Sequence, residues 1–114
     1  MAYLRKEQET VEIDYPIDKI WTALPKTLKE LSYTTEKIDE KTRHIKAKTQ
    51  KGFVSWGSTL LIDVKRVNEK TTRVSVTAET PFTTISAVID FGRARRRIDL
   101  LFAALAKQLN KQIS

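Results

Sequence analysis

The sequence predicts an α+β domain: an antiparallel sheet with helices after its first strand and at its C-terminal end. Three observations carry this. Val11, Ile13 and Tyr15 alternate strictly with Glu12 and Asp14, the period of a half-buried strand. A turn motif occurs twice, as Ile38-Asp39-Glu40-Lys41-Thr42 and Val67-Asn68-Glu69-Lys70-Thr71, each time followed by alternating residues. Ala94, Ile98, Leu101, Phe102, Leu105 and Leu109 fall on one face of a helical cylinder. With 114 residues, 40% of them hydrophobic, the chain is expected to form one domain over 1–114.

Pro16 stops the first strand, read at 9–15, and can open a helix. Ile17, Ile20, Trp21, Leu24, Leu28 and Leu31 then form one apolar stripe. Pro25 interrupts it, removing a helical hydrogen bond and crowding the preceding turn, so two short helices, 17–23 and 25–31, are expected. The Asp and Asn of the repeated motif start tight turns because their side chains bond the backbone just beyond. They predict hairpins pairing 33–38 with 43–50 and 58–67 with 72–80. Gln50 to Gly57 is a glycine-punctuated connection, and Ile85, Ala87, Ile89 and Phe91 alternate as a last short strand. Gly92 breaks it, and a long helix runs from 93 to 112.

Composition removes several function classes. With no cysteine there is no disulfide framework, thiolate nucleophile or Cys-based metal site. His44 is the single histidine, which excludes a His-based metal cage and a pair of His acid–base groups. Apolar runs fall far short of the about 20 residues a membrane span needs. The opening MAYLRKEQETVE lacks the apolar stretch of a secretory signal, and a reducing, cytoplasmic compartment is expected. The formal net charge of +7 is uneven: residues 1–50 hold 10 Lys+Arg and 9 Asp+Glu, residues 51–114 hold 11 and 5. Such an excess permits association with anionic surfaces without specifying one.

The order of elements resembles the helix-grip superfamily, which includes birch-pollen-allergen-like, START-like and SRPBCC proteins. The local match is best from Thr10 to Trp21, where an alternating strand ends at Pro16 and enters a helix with the Ile20-Trp21 pair. The resemblance implies a curved antiparallel sheet, here of five to six strands, gripping the long C-terminal helix. It also implies an apolar cavity between sheet and helix for lipids or other small hydrophobic molecules. The superfamily has no invariant catalytic motif to carry over, and the resemblance is to a shortened member of it.

On that reading the ligand-binding set is Tyr15, Trp21, Ile45, Leu60, Ile62, Val74, Val76, Ile98, Phe102 and Leu105, which otherwise simply fill a core. Phe53 and Trp56 in the glycine-punctuated connection are a candidate gate or partner-binding tip, or fold back over the sheet edge. Arg93, Arg95, Arg96 and Arg97 open the final helix, where the dipole disfavours cations by about 0.3–1 kcal/mol each. They could hold a phosphate or carboxylate, or be neutralised by Glu79, Asp90 and Asp99. His44, beside Arg43 and facing away from Ile45 and Ala47, lacks a visible orienting partner for acid–base work.

The expected function is a non-catalytic module binding a small hydrophobic or lipid-like ligand. The alternative is an interaction module whose basic surface binds nucleic acid, anionic lipid or an acidic protein. An enzyme ranks third, since no constellation supplies a nucleophile, metal cage or acid–base pair. No cofactor or metal is implied, and oligomeric state is not legible.

Overall fold

The computed structural model describes residues 3–49, 59–82 and 93–113, with side chains described over 8–49, 59–79 and 96–110. Five strands, β1 (Tyr3–Ile13), β2 (Thr34–Asp39), β3 (His44–Lys48), β4 (Thr59–Asn68) and β5 (Thr71–Phe82), form one antiparallel sheet in the order β1-β5-β4-β3-β2. Two helices, α1 (Ile17–Glu30) and α2 (Arg93–Ile113), complete the described elements. β2 to β5 follow one another as a meander. β1 sits beyond β5, so α1 carries the chain from one edge of the sheet to the other.

The sheet sorts its residues by the two-residue period. Ile45, Ala47, Leu60, Ile62, Val64, Val74, Val76 and Ala78 point inward and are buried, while His44, Lys46, Asp63, Lys65, Arg73 and Ser75 take the other face. Against the inner face lie Ile20, Ala23, Leu24 and Leu28 of α1 and Ile98, Leu101, Leu105 and Leu109 of α2. Each such Ile or Leu side chain contributes about 1.5–3 kcal/mol by leaving water. Two of the buried threonines donate to backbone: Thr27 to the Ala23 carbonyl at 2.9 Å and Thr72 to the Tyr15 carbonyl at 2.7 Å. The second bond ties the corner after β1 to the start of β5.

The expected break at Pro25 is corrected: α1 is one helix with Pro25 inside it. Pro25 is solvent-exposed, whereas Ile20, Ala23, Leu24, Thr27 and Leu28 on either side of it are buried on a common face. Packing both halves onto one core outweighs a lost hydrogen bond and a ring clash worth about 3 kcal/mol. Both hairpins are present with shifted ends, and β1 begins earlier than 9 and ends at Ile13. The strand expected over 85–91 lies outside the described residues.

Helix α1 ends in a Schellman motif with the wrong residue for its geometry. The Tyr33 N–H reaches the Leu28 carbonyl at 2.9 Å and the Ser32 N–H the Lys29 carbonyl at 3.0 Å. Ser32 thereby takes φ 62°, a left-handed conformation that glycine adopts without a Cβ clash. The two hairpin turns differ in length. Asn68 pairs with Thr71 and accepts from the Lys70 N–H at 2.8 Å. Asp39 pairs with His44 across a longer loop and accepts from the N–H groups of Lys41 at 3.0 Å and Thr42 at 3.3 Å. Chiefly the Thr42 N–H, then that of Lys41, holds the Asp39 carboxyl below its ordinary pKa.

Ser32→Gly is expected to stabilise the protein by about 0.5–1 kcal/mol, read as a rise in melting temperature of a few degrees. An unchanged or lower melting temperature would show that the Ser32 side chain offsets its own strain. Asp39, with a folded pKa below its unfolded one, contributes stability above the unfolded value that is lost as pH falls through the folded value. Asp39→Asn keeps the acceptor, as Asn68 does in the second turn. Thermal melts from about pH 6 to about pH 2 should therefore show the wild type losing its advantage over Asp39→Asn on acidification. A pH-independent gap would contradict the assignment.

Candidate functional site

The edge where β1 meets the second half of α2 carries a cleft. Val11 and Ile13 project into it from alternate positions of β1, and Tyr15 follows at the corner. From α2 come Phe102, Ala106, Leu109 and Asn110, spaced so that one helical face presents them all. The cleft has a volume of about 240 Å³ and its walls are almost wholly apolar. It exists because α2 rests its Ile98-Leu101-Leu105-Leu109 ridge on the core, while the small Ala106 beside that ridge leaves space above β1. Tyr15 and Asn110 are the two lining residues that carry a polar side-chain group.

The structure divides the expected ligand-binding set. Tyr15 and Phe102 are half-buried and line the cleft. Ile45, Leu60, Ile62, Val74, Val76 and Ile98 are 0% exposed and Leu105 1%, all within one packed cluster. Trp21 lies elsewhere, at a second groove lined also by Asp18, Thr22, Glu40 and Arg43. Periodicity alone could not separate these three environments, because it reports which face a residue takes and not where two elements diverge. Val11, Ile13, Ala106, Leu109 and Asn110 were not singled out as site residues. The one available signal was Ala106, a small residue next to the apolar stripe of α2.

Other expected residues fall as follows. Phe53 and Trp56 lie outside the described residues. Arg93, Arg95, Arg96 and Arg97 begin α2, whose first turn holds no acidic residue. Arg96 is exposed and Arg97 half-buried, and side chains 93–95 are outside the described set. Arg97 is close enough to Tyr33 to act on its hydroxyl: burial raises the Tyr33 pKa and the Arg97 charge opposes that rise. His44 has the partner that its sequence neighbours did not reveal. Its Nδ1 lies 2.8 Å from Oδ1 of Asp63, directly opposite on β4 and on the outer sheet face.

No protein-family model and no curated protein matches the sequence. Solved structures do match in shape. A norcoclaurine synthase point mutant from Thalictrum flavum, in complex with a transition-state analogue, superposes with a TM-score of 0.73 at 13% identity, over 100% of this chain and 99% of that one. The ZhuI aromatase/cyclase from Streptomyces sp. R1128 gives 0.70 at 12% identity, over 98% and 97%. A norcoclaurine synthase structure from Thalictrum flavum in complex with dopamine and hydroxybenzaldehyde gives 0.69 at 14% identity, over 98% and 87%. The chain therefore has the helix-grip, SRPBCC-like fold that its order of elements resembles. None of its described helices is long and apolar enough to cross a membrane.

Proposed function

We propose that the protein is a binding module that holds a small apolar molecule, of about one substituted ring, in the cleft between β1 and α2. The observation that carries this reading is the cleft itself: an apolar recess at the sheet–helix boundary, with Tyr15 and Asn110 among its lining residues. Its size sets the class of ligand. About 150 Å³ suffices for benzene, and drug-sized pockets start near 300 Å³. At about 240 Å³ the cleft suits a single ring or short aliphatic chain better than a sterol. The dopamine and hydroxybenzaldehyde bound by the norcoclaurine synthase of the same fold are molecules of that size. Tyr15 and Phe102 would touch the ligand, and the fully buried residues of the set would form the floor that holds these walls in place. Binding of this kind needs no catalytic step.

A second reading keeps the basic start of α2 as an anion-binding surface. It is favoured by the absence of acidic residues from that first turn, where the dipole opposes Arg93, Arg95 and Arg96. Binding to a polyanion that falls steeply with salt would favour it over the cleft.

Isothermal titration with 4-hydroxybenzaldehyde tests the first reading, using Ala106→Leu to fill the recess. Saturable binding to the wild type, weakened at least about tenfold in Ala106→Leu with an unchanged or higher melting temperature, is the expected result. Equal binding by both proteins, or none by the wild type, would overturn it.

A further inference from the structure

The second groove has a different chemistry. It lies between the first turns of α1 and the loop joining β2 to β3, with a volume of about 440 Å³. Asp18, Trp21 and Thr22 are three and four residues apart on α1 and so share one face, and Glu40 and Arg43 approach from the loop. The Arg43 guanidinium carbon sits 5.4 Å from the centroid of the Trp21 ring, so the cation is held against the aromatic face. Its ion pair with Asp18 is loose: Nη2 to Oδ1 is 3.5 Å, well beyond the about 2.7–2.9 Å of a strong charge-assisted hydrogen bond, and the Asp18 side chain is 87% exposed. A guanidinium has five donors in a planar fork. Here the fork is aimed by Trp21 and only weakly engaged by Asp18.

The backbone beneath it is fixed and strained. The Arg43 carbonyl accepts from the Val64 N–H at 3.0 Å, and Arg43 holds φ 56°. Glycine would adopt that φ freely. The shorter second turn, Asn68 to Thr71, repeats the motif of the first without a left-handed residue. What the longer loop adds is the placement of this one side chain over Trp21.

We propose that this groove binds a small zwitterion of amino-acid type, with its carboxylate on the Arg43 fork, its ammonium at Glu40 and Asp18, and its side chain against Trp21. Charge decides the class. A simple anion would meet two carboxylates, and a simple cation would meet the guanidinium lying on the ring. A molecule bearing both signs a few ångströms apart satisfies both sets, and the half-buried Trp21 supplies an apolar wall. This site is separate from the apolar cleft beside β1 and independent of what that cleft binds.

The test follows the Trp21 indole N–H by NMR, in a Trp56→Phe background that leaves one indole signal, during titration with L-leucine. Leucinamide, which lacks the carboxylate, and N-acetyl-leucine, which lacks the ammonium, are the controls. Saturable shifts with leucine and at least about tenfold weaker binding of both controls are expected. Arg43→Gly should abolish the response while holding or raising the melting temperature, because it relieves the positive φ. Glu40→Gln, a conservative change on an exposed loop residue, should weaken leucine binding and leave the melting temperature unchanged. The proposal is overturned if leucine gives no saturable shift up to about 20 mM, or if either control binds as well as leucine. It is equally overturned if Arg43→Gly or Glu40→Gln binds leucine as the wild type does. A fall in melting temperature in Arg43→Gly with no leucine response in the wild type would make Arg43 a structural clamp between the loop and α1.

Discussion

The docking of α2 on the inner face of the sheet is the contact on which the rest of the structure depends. Ile98, Leu101, Leu105 and Leu109 form its ridge and are buried almost completely among Val74, Val76, Ala78, Leu24 and Leu28. A single helix about 10 Å across cannot cover five strands about 4.8 Å apart. α1 must therefore cover the rest, and the chain achieves this by running α1 from the β1 edge to the β2 edge. Polar contacts at the rim hold the two helices together, as where the Gln108 amide donates to the Glu30 carboxylate at 2.6 Å. The packed interior follows from that arrangement, and so does the position of the cleft, where α2 overhangs β1 and Ala106 fails to fill the space.

The two grooves occupy opposite kinds of boundary. The cleft beside β1 forms where two apolar surfaces part, and its walls belong to regular elements. The groove at Arg43 forms where a loop returns to the start of α1, and its walls are charged groups on an aromatic base. The first is positioned by the packing of α2 on the core. The second is positioned by one left-handed residue and the hydrogen bonds that hold it.

Much of this was legible in the chain. Alternation located the strands, the repeated Asp/Asn-Glu-Lys-Thr motif located both hairpins, and the helical stripe located α2. What escaped were features decided between elements. Pro25 reads as a break because local chemistry makes it one, and only the shared burial of Ala23, Leu24, Thr27 and Leu28 keeps the helix continuous. His44 and Asp63 stand opposite each other only once the β3–β4 register is set, as do Tyr15 and Phe102 once α2 has docked. Trp21 belonged to the apolar stripe by spacing, yet its ring serves the loop at Arg43. Periodicity assigns faces; it does not say where faces separate.

Among the described residues, the side chains beneath α2 pack against the inner sheet face, and an apolar cleft lies at its β1 side. Leu101 and Phe102 are neighbours on α2, the first buried completely in the core and the second half-buried at the cleft. Measuring the unfolding free energy of Leu101→Ala and Phe102→Ala by denaturant titration separates the two environments. Leu101→Ala is expected to lose about 2–5 kcal/mol and Phe102→Ala less, although it removes the larger side chain. A loss at Phe102 equal to or greater than that at Leu101 would contradict it.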